Sequence, residues 1–169
     1  HKDFYHLDKI WCFYRVKENI FCFDNTKEYI GLTNTTVIFD TNENLDLKYL
    51  IALLNSKTLN FRYKSIGKQT GSGVYEYFEN GVGKLPIPDI EKEKQQPFID
   101  LVDNILDSKE KIKKYKKHFE SLNAVDKIEI TEEIEKLEIG VEEDIKKIDA
   151  MVYKLYDLTD EEIKIVEGV

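Results

Sequence analysis

Apolar residues recur every three or four positions along the second half of this 169-residue chain. The first stripe comprises Phe98, Val102, Ile105, Ile112, Tyr115, Phe119 and Leu122. The second stripe comprises Ile130, Ile134, Leu137, Val141, Ile145, Ile148, Val152 and Leu155. Side chains at this spacing share one face of an α-helix, and only a short break at residues 123–127 separates the stripes. The pattern predicts a long antiparallel helical hairpin, followed by a short last helix that begins at the Thr159–Glu162 capping box.

The first half has a different pattern, in which short apolar runs end at turn residues. Four strands are predicted, at Ile10–Val16, Phe21–Phe23, Thr35–Phe39 and Val74–Phe78. Helical spacing occurs between Leu47 and Tyr63, where Asn44 or Asp46 can cap the start of one helix. The segment Gly67–Gly73 contains three glycines and predicts a loop whose backbone can approach a ligand closely.

Two further segments limit how the strands are arranged. Asn42–Asn44 predicts a turn after the third strand, which ends at Asp40, and Leu85–Pro88 predicts an extended segment outside the sheet. The whole pattern predicts an α+β fold: a small mixed β-sheet domain with flanking helices, followed by the helical hairpin. We expect residues 1–90 to form a core of mixed sheet and one helix. Residues 91–169 are expected to form the hairpin and the short C-terminal helix, packed on that core.

Charge is distributed unevenly along the chain. There are 25 Lys and Arg residues against 33 Asp and Glu residues, a net charge of −8. Basic and acidic residues balance in residues 1–90, so the excess of acid lies in residues 91–169. No acidic residue occurs between Asp46 and Glu76, and this gap contains Lys48, Lys57, Arg62, Lys64 and Lys68. Such a patch either faces the phosphates of DNA or is a chance cluster on a helix face.

Several classes of protein lack their signature in this sequence. No apolar run approaches the roughly 20 residues that a membrane span requires. Cys12 and Cys22 are too few for a disulfide scaffold, and their apolar surroundings predict buried structural thiols and not zinc ligands. The glycine segment lacks the spacing of a phosphate-binding loop, and a free-standing enzyme is the least favoured function. Because the chain begins at His1 and not at Met, we expect it to be a piece of a longer polypeptide.

The segment from Lys57 to Phe78 carries most of the residues that point to a function. Its candidate binding residues are Lys57, Arg62, Lys64, Lys68, Gln69, Thr70, Ser72, Tyr75 and Tyr77. Cations neutralise phosphates, and Gln or Arg side chains make paired hydrogen bonds to purine edges in the major groove. The alternative is an ordinary helix–loop–strand corner with half-buried tyrosines. A second basic segment, Lys109–Lys117, is predicted to be a solubilising helix face, with phosphate contact as the alternative.

The order of several segments indicates a family. Leu53–Lys57, the glycine segment, the aromatic strand after it, Leu85–Pro88 and the ending Ile148–Ile163 together resemble the TaqI-like C-terminal specificity domain. That domain is the target recognition domain of type IIG restriction–modification enzymes, and it is similar to the target recognition domains of type I specificity subunits. The resemblance implies that residues 1–90 recognise a sequence in double-stranded DNA and that the chain alone catalyses no reaction. The family often has glycine at the position of Asp157.

The resemblance also implies partners and site residues. The parent chain would contain nuclease and adenine methyltransferase domains, use S-adenosylmethionine and Mg²⁺, and lie in the cytoplasm of a prokaryote. The fragment itself would hold no cofactor, metal or catalytic residue and would contact no membrane. DNA would face Lys68, Gln69, Thr70 and Ser72, flanked by Arg62, Lys64 and Tyr75. Two alternatives are a type I parent and a helical assembly module whose acidic hairpin binds a protein partner.

Overall fold

A computed structural model describes residues 6–29, 31, 34–39 and 44–169 of the chain. Its strands are β1 (Lys9–Phe13), β2 (Arg15–Val16), β3 (Phe21–Asp24), β4 (Thr35–Phe39), β5 (Lys68–Thr70) and β6 (Val74–Glu76). Its helices are α1 (Leu47–Leu54), α2 (Lys57–Ile66), α3 (Glu79–Val82), α4 (Lys92–His118), α5 (Ala124–Leu155) and α6 (Asp160–Glu167). The predicted α+β class is confirmed. The predicted end of the third strand at Asp40 and the turn at residues 42–43 lie outside the described residues.

The strands form two antiparallel sheets of three strands each, in the orders β3-β1-β4 and β2-β6-β5. The predicted single mixed sheet is therefore wrong for the described residues. The run Ile10–Val16 is divided at Tyr14, where the chain passes from the first sheet to the second. The amide of Tyr14 donates to the carbonyl of Asn34 at 3.0 Å, and the amide of Tyr77 donates to the carbonyl of Tyr14 at 2.8 Å. The backbone of Tyr14 is thus hydrogen-bonded to Asn34, directly before β4 of the first sheet, and to Tyr77, directly after β6 of the second sheet.

The predicted helix Leu47–Tyr63 is two helices, α1 and α2. Asp46 caps α1 by accepting the amide of Lys48, as its position predicts. Ser56 ends the helical path because its hydroxyl donates to the carbonyl of Leu53 and accepts the amide of Leu59. The carboxylate of Asp149, on α5, accepts the amide of Lys57 at 2.9 Å. A residue 92 positions away therefore helps to start α2, and no local pattern could reveal this contact.

Helices α4 and α5 form the predicted antiparallel hairpin. Lys116 Nζ lies 2.9 Å from Glu138 Oε1 near the turn, while Phe98 and Val152 are buried at the opposite end. These base residues belong to the same hydrophobic core as residues of β1, β3, α1 and α2. Residues on both sides of position 90 thus share one core, and the division into domains 1–90 and 91–169 stays a prediction.

Some details of the first sheet and of the helix ends also bear on the predictions. Cys12 is buried as predicted, but the predicted burial of Cys22 is wrong. Cys22 pairs with Trp11 across the strands and lies on the outer face of its sheet.

Asp157 follows α5 with a φ of 57°, a left-handed conformation that favours glycine. Within the part of the chain that the structure describes, no helix has both the length and the apolar character needed to cross a membrane.

Candidate functional site

Strands β5 and β6 form a hairpin that replaces the predicted glycine loop. Thr70 pairs with Val74, so the turn consists of three residues, Gly71, Ser72 and Gly73. Ser72 and Gly73 have φ values of 70° and 72°, in the left-handed region. A turn of this kind reverses the chain tightly and leaves all three turn residues exposed. The tip is therefore small, polar in part and open to a large ligand.

One buried carboxylate organises the base of this hairpin. Glu76 is only 2% exposed, and its two oxygens lie 2.9 Å from an Arg15 nitrogen and 2.8 Å from Lys68 Nζ. The Tyr14 hydroxyl donates to the same carboxylate at 2.7 Å. The Arg15 guanidinium also covers the Tyr14 ring, 4.8 Å from its centroid. The two cations remain 56% and 74% exposed, so their outer faces are accessible to solvent.

Mutual hydrogen bonds and ion pairs keep Glu76, Arg15 and Lys68 charged. Hydrogen bonds from Lys68, Arg15 and Tyr14 lower the pKa of Glu76 from 4.5 to about 2. The same contacts with Glu76 raise the pKa values of Arg15 and Lys68 above their ordinary values. The cluster therefore holds two cations against one anion at neutral pH, in fixed positions beside the turn.

This pKa shift predicts a pH-dependent contribution to stability. A carboxylate with a lowered pKa stabilises the fold above its unfolded pKa, and this stabilisation disappears as the pH falls towards the folded pKa. We expect Glu76→Gln to lower the free energy of unfolding at pH 7. The difference from wild type should shrink as the pH falls from about 4.5 to about 2, where Glu76 becomes protonated. Urea unfolding at several pH values measures it, and a difference that stays constant over this range would contradict the assignment.

Two stacked tyrosines attach the hairpin to α2. Tyr63 and Tyr77 are both fully buried, with ring centroids 4.1 Å apart. The Tyr63 hydroxyl donates to the carbonyl of Glu76 at 2.6 Å, and burial raises the pKa of this hydroxyl to about 12. Gly81 lies so close that a Cβ there would come within 2.5 Å of the Tyr63 oxygen. Tyr77 was predicted as a binding residue, but its side chain has no exposed surface and donates internally to Asn19.

The remaining hairpin residues differ in how much surface they offer. Gln69 is exposed on the edge strand β5, opposite Tyr75. Tyr75 is half-buried and packs against the core, so it supports the hairpin more than it offers a free face. The Thr70 hydroxyl donates to the carbonyl of Val74 at 3.2 Å, while Ser72 lies exposed in the turn. Gln69 and Ser72 are therefore the exposed uncharged side chains of the predicted set.

Helix α2 carries the other predicted cations, Lys57, Arg62 and Lys64. Lys57 forms an ion pair with Glu167 of α6 at 3.1 Å, and Arg62 borders a groove between α2 and α6. Lys64 lies in the last turn of α2, directly before β5, and is exposed. Residues two positions apart on a helix do not share a face, so Arg62 and Lys64 point to different sides. Lys64 therefore precedes the hairpin directly in the chain, whereas Lys57 pairs with α6 and Arg62 borders the groove beside it.

The sequence patterns missed Arg15, Tyr14 and Glu76. Arg15 lies near the end of an aromatic run that predicts only a buried strand, and its partner Glu76 lies 61 residues away. One signal was present: Glu76 is the acid that closes the acid-free stretch, three residues after the glycine segment. We define the hairpin surface as the polar and basic residues of β2, of the last turn of α2 and of the β5–β6 hairpin, comprising Arg15, Lys64, Lys68, Gln69, Thr70 and Ser72, all of them exposed except the half-buried Thr70.

The second basic segment lies on α4, away from the hairpin surface. Lys114 pairs with Glu110 at 2.8 Å, and Lys116 pairs with Glu138 on α5 at 2.9 Å. These pairs are typical of a solvated helix face. His118 is exposed. Across the ranges that the structure describes, no group of three or more His, Cys, Asp or Glu side chains is placed to hold a metal ion.

Comparison with known proteins agrees with this arrangement. No curated protein matches the chain. The family described as TaqI-like C-terminal specificity domain matches residues 1–87, which is just over half of the sequence. The matched region contains both sheets, helices α1 to α3 and the whole hairpin surface, and it ends before α4. The chain therefore belongs to the family of TaqI-like C-terminal specificity domains.

Proposed function

We propose that this chain recognises a specific sequence in double-stranded DNA as the specificity domain of a restriction–modification enzyme. The observation that carries the proposal is the hairpin surface, which lies within the matched residues 1–87. It combines a β-hairpin whose tip extends as two strands past the residues paired with β2, a small exposed turn and cations at its base. A two-stranded ribbon fits the major groove of B-DNA, where each base pair presents a distinct set of donors and acceptors.

Different residues of the surface suit different parts of a duplex. Gln69 carries both a donor and an acceptor on an exposed edge strand, which is the chemistry that pairs with adenine in the major groove. Ser72 and Thr70 are further candidates for base or phosphate oxygens near the turn. The exposed faces of Arg15 and Lys68 and the nearby Lys64 are candidates for phosphate contacts, which set affinity and orientation.

Glu76 suits a supporting role in this proposal. Long cationic side chains lose rotamer freedom when they bind a phosphate. A partner that already restricts them in the free protein makes the entropy lost on binding smaller. Glu76 holds Arg15 and Lys68 on either side of β6 through contacts of 2.9 and 2.8 Å. The two cations exceed the one carboxylate, so a net positive charge remains to attract phosphate.

The parent enzyme supplies the chemistry in this proposal. We propose a type IIG parent with nuclease and adenine methyltransferase domains, which would use Mg²⁺ and S-adenosylmethionine respectively. The present chain would read the sequence and position those domains on it. A type I specificity subunit is the alternative parent, and a second copy of this domain in the full-length chain would favour it.

The proposal predicts two distinct mutant phenotypes. Gln69→Ala should alter preference at one or two base pairs, because a paired base contact contributes about 1–3 kcal/mol of discrimination. Lys64→Ala should weaken binding to all sequences alike and reduce the salt slope by about 1, as expected for one phosphate contact. Fluorescence anisotropy with a matched set of single-base variants of a bound duplex measures both effects. If the two variants behave identically, the division into base and phosphate contacts is wrong.

A further inference from the structure

A second surface lies between α2 and α6, separate from the hairpin surface. It is a groove of about 360 Å³ with an almost wholly apolar lining, to which Phe61, Tyr156, Leu158 and Ile165 contribute. Phe61 is 46% exposed and Ile165 is 60% exposed, so two large apolar side chains face solvent at its rim. An apolar lining of this kind offers phosphates little, and it is typical of a surface that contacts protein.

The groove also contains an unsatisfied polar group. Thr58 lines it and is only 8% exposed, yet its hydroxyl has no hydrogen-bond partner. It is the one such side-chain atom among the residues that the structure describes. A buried hydroxyl without a partner costs free energy, and buried polar groups in proteins are nearly always paired. A polar group that entered the groove beside Thr58 would supply the partner that this hydroxyl lacks.

A free cation lies one helical turn from Thr58. Arg62 is exposed, borders the groove and has only a long 3.5 Å contact with the Ser65 hydroxyl. Glu162, the acid in the lining, accepts from the amide and hydroxyl of Thr159 in the capping box of α6. Residues four apart on a helix share a face, so the buried Thr58 and the exposed Arg62 lie on the same side of α2.

We propose that this groove binds an apolar segment of a protein partner that carries an acidic side chain. The carboxylate would pair with the Arg62 guanidinium, whose planar fork suits two parallel hydrogen bonds. A main-chain carbonyl of the segment would accept from the Thr58 hydroxyl, and its apolar side chains would cover Phe61 and Ile165. The α6 side of the domain thus binds protein, whereas the hairpin side is proposed to bind DNA.

Selection from a displayed library of random peptides, each about twelve residues long, tests the proposal with the 169-residue chain as bait. Bound peptides should share apolar residues and one Asp or Glu. Arg62→Glu should weaken the best peptide at least about 10-fold, and a peptide with Lys in place of its acid should recover binding to that variant. Selected peptides without an acidic residue, or binding unaffected by Arg62→Glu, would overturn the proposal.

Lys64→Glu is the matched control, since it makes the same change of charge on another side of the same helix. It should leave peptide affinity unchanged and weaken DNA binding, whereas Arg62→Glu should do the reverse. If Arg62→Glu fails to weaken peptide binding while Lys64→Glu still weakens DNA binding, the groove proposal is wrong. If Lys64→Glu fails to weaken DNA binding while Arg62→Glu still weakens peptide binding, the hairpin surface is not the DNA-binding site. The two proposals therefore fail independently.

Thr58→Val removes the hydroxyl and keeps the apolar contacts, because the Val and Thr side chains have the same shape. The melting temperature should stay constant or rise by about 2–4 °C, since an unpaired buried hydroxyl is removed. Peptide affinity should fall about 5-fold or more with the lost hydrogen bond. A fall in melting temperature would contradict an unpartnered hydroxyl.

A second copy of the chain is the other possible occupant of the groove. A concentration-dependent dimer that disappears in Ile165→Asp would identify a second copy as the occupant and overturn the proposed partner.

Discussion

We expect the double substitution Lys64→Glu and Lys68→Gln to lower affinity for duplex DNA about 100-fold at about 50 mM salt. Each phosphate contact contributes roughly 10-fold at that salt concentration, because binding releases a counterion from the duplex. The salt dependence of log K should also become shallower by about 2. Glutamine is chosen at Lys68 because a carboxylate there would stand beside the buried Glu76 and repel it. Fluorescence anisotropy over a salt series measures both quantities.

A control variant with the same change of charge elsewhere distinguishes DNA binding at the hairpin surface from general electrostatic attraction. Lys109→Glu with Lys113→Gln makes this change on exposed positions of α4. We expect this variant to bind DNA within about 3-fold of wild type, since distant exposed charges are screened by salt. If it loses as much affinity as the hairpin variant, the lysine segment of α4 contacts DNA and the hairpin surface is not the dominant site.

The largest effect on stability is expected from Tyr63→Ala. The side chain is fully buried, stacks on Tyr77 and donates to the carbonyl of Glu76. Removing a buried ring of this size costs about 3–5 kcal/mol, because burial is lost and a cavity remains. The hairpin also loses its main attachment to α2. Urea denaturation at pH 7 measures the change in the free energy of unfolding.

Tyr63→Phe separates the hydroxyl from the ring. It keeps the stack on Tyr77 and removes only the hydrogen bond to Glu76, so it should cost about 1–2 kcal/mol. A cost below about 1 kcal/mol for Tyr63→Ala would show that the ring does not support the fold as described. An equal cost for both substitutions would assign the whole effect to the hydroxyl.

The features that the sequence predicted well are set by neighbouring residues. The long helices follow from apolar spacing alone, since each buries one stripe against the other. The start of α6 follows from the capping box of Thr159 and Glu162, in which both reciprocal bonds form. The start of α1 follows from Asp46, whose carboxylate accepts an amide two residues ahead. In each case the deciding contact lies within a few positions.

The predictions failed where distant residues decide the structure. The split between β1 and β2 depends on Tyr14, whose carbonyl bonds to Tyr77. The start of α2 depends in part on Asp149. The candidate site shows the same division, because local composition pointed to Lys68 and Gln69, whereas Arg15 becomes a candidate only when β2 pairs with β6. A tyrosine pattern alone did not reveal that Tyr77 is a core residue.

Selection of bound sequences from randomised duplex DNA at about 50 mM salt tests the central claim most directly. Wild-type chain should enrich one short motif, and its affinity for that motif should fall steeply as salt rises. Selection with Gln69→Ala should relax the motif at one or two positions, while the double variant at Lys64 and Lys68 should enrich little. Absence of any enriched motif together with salt-independent binding would contradict the claim that the hairpin surface reads DNA.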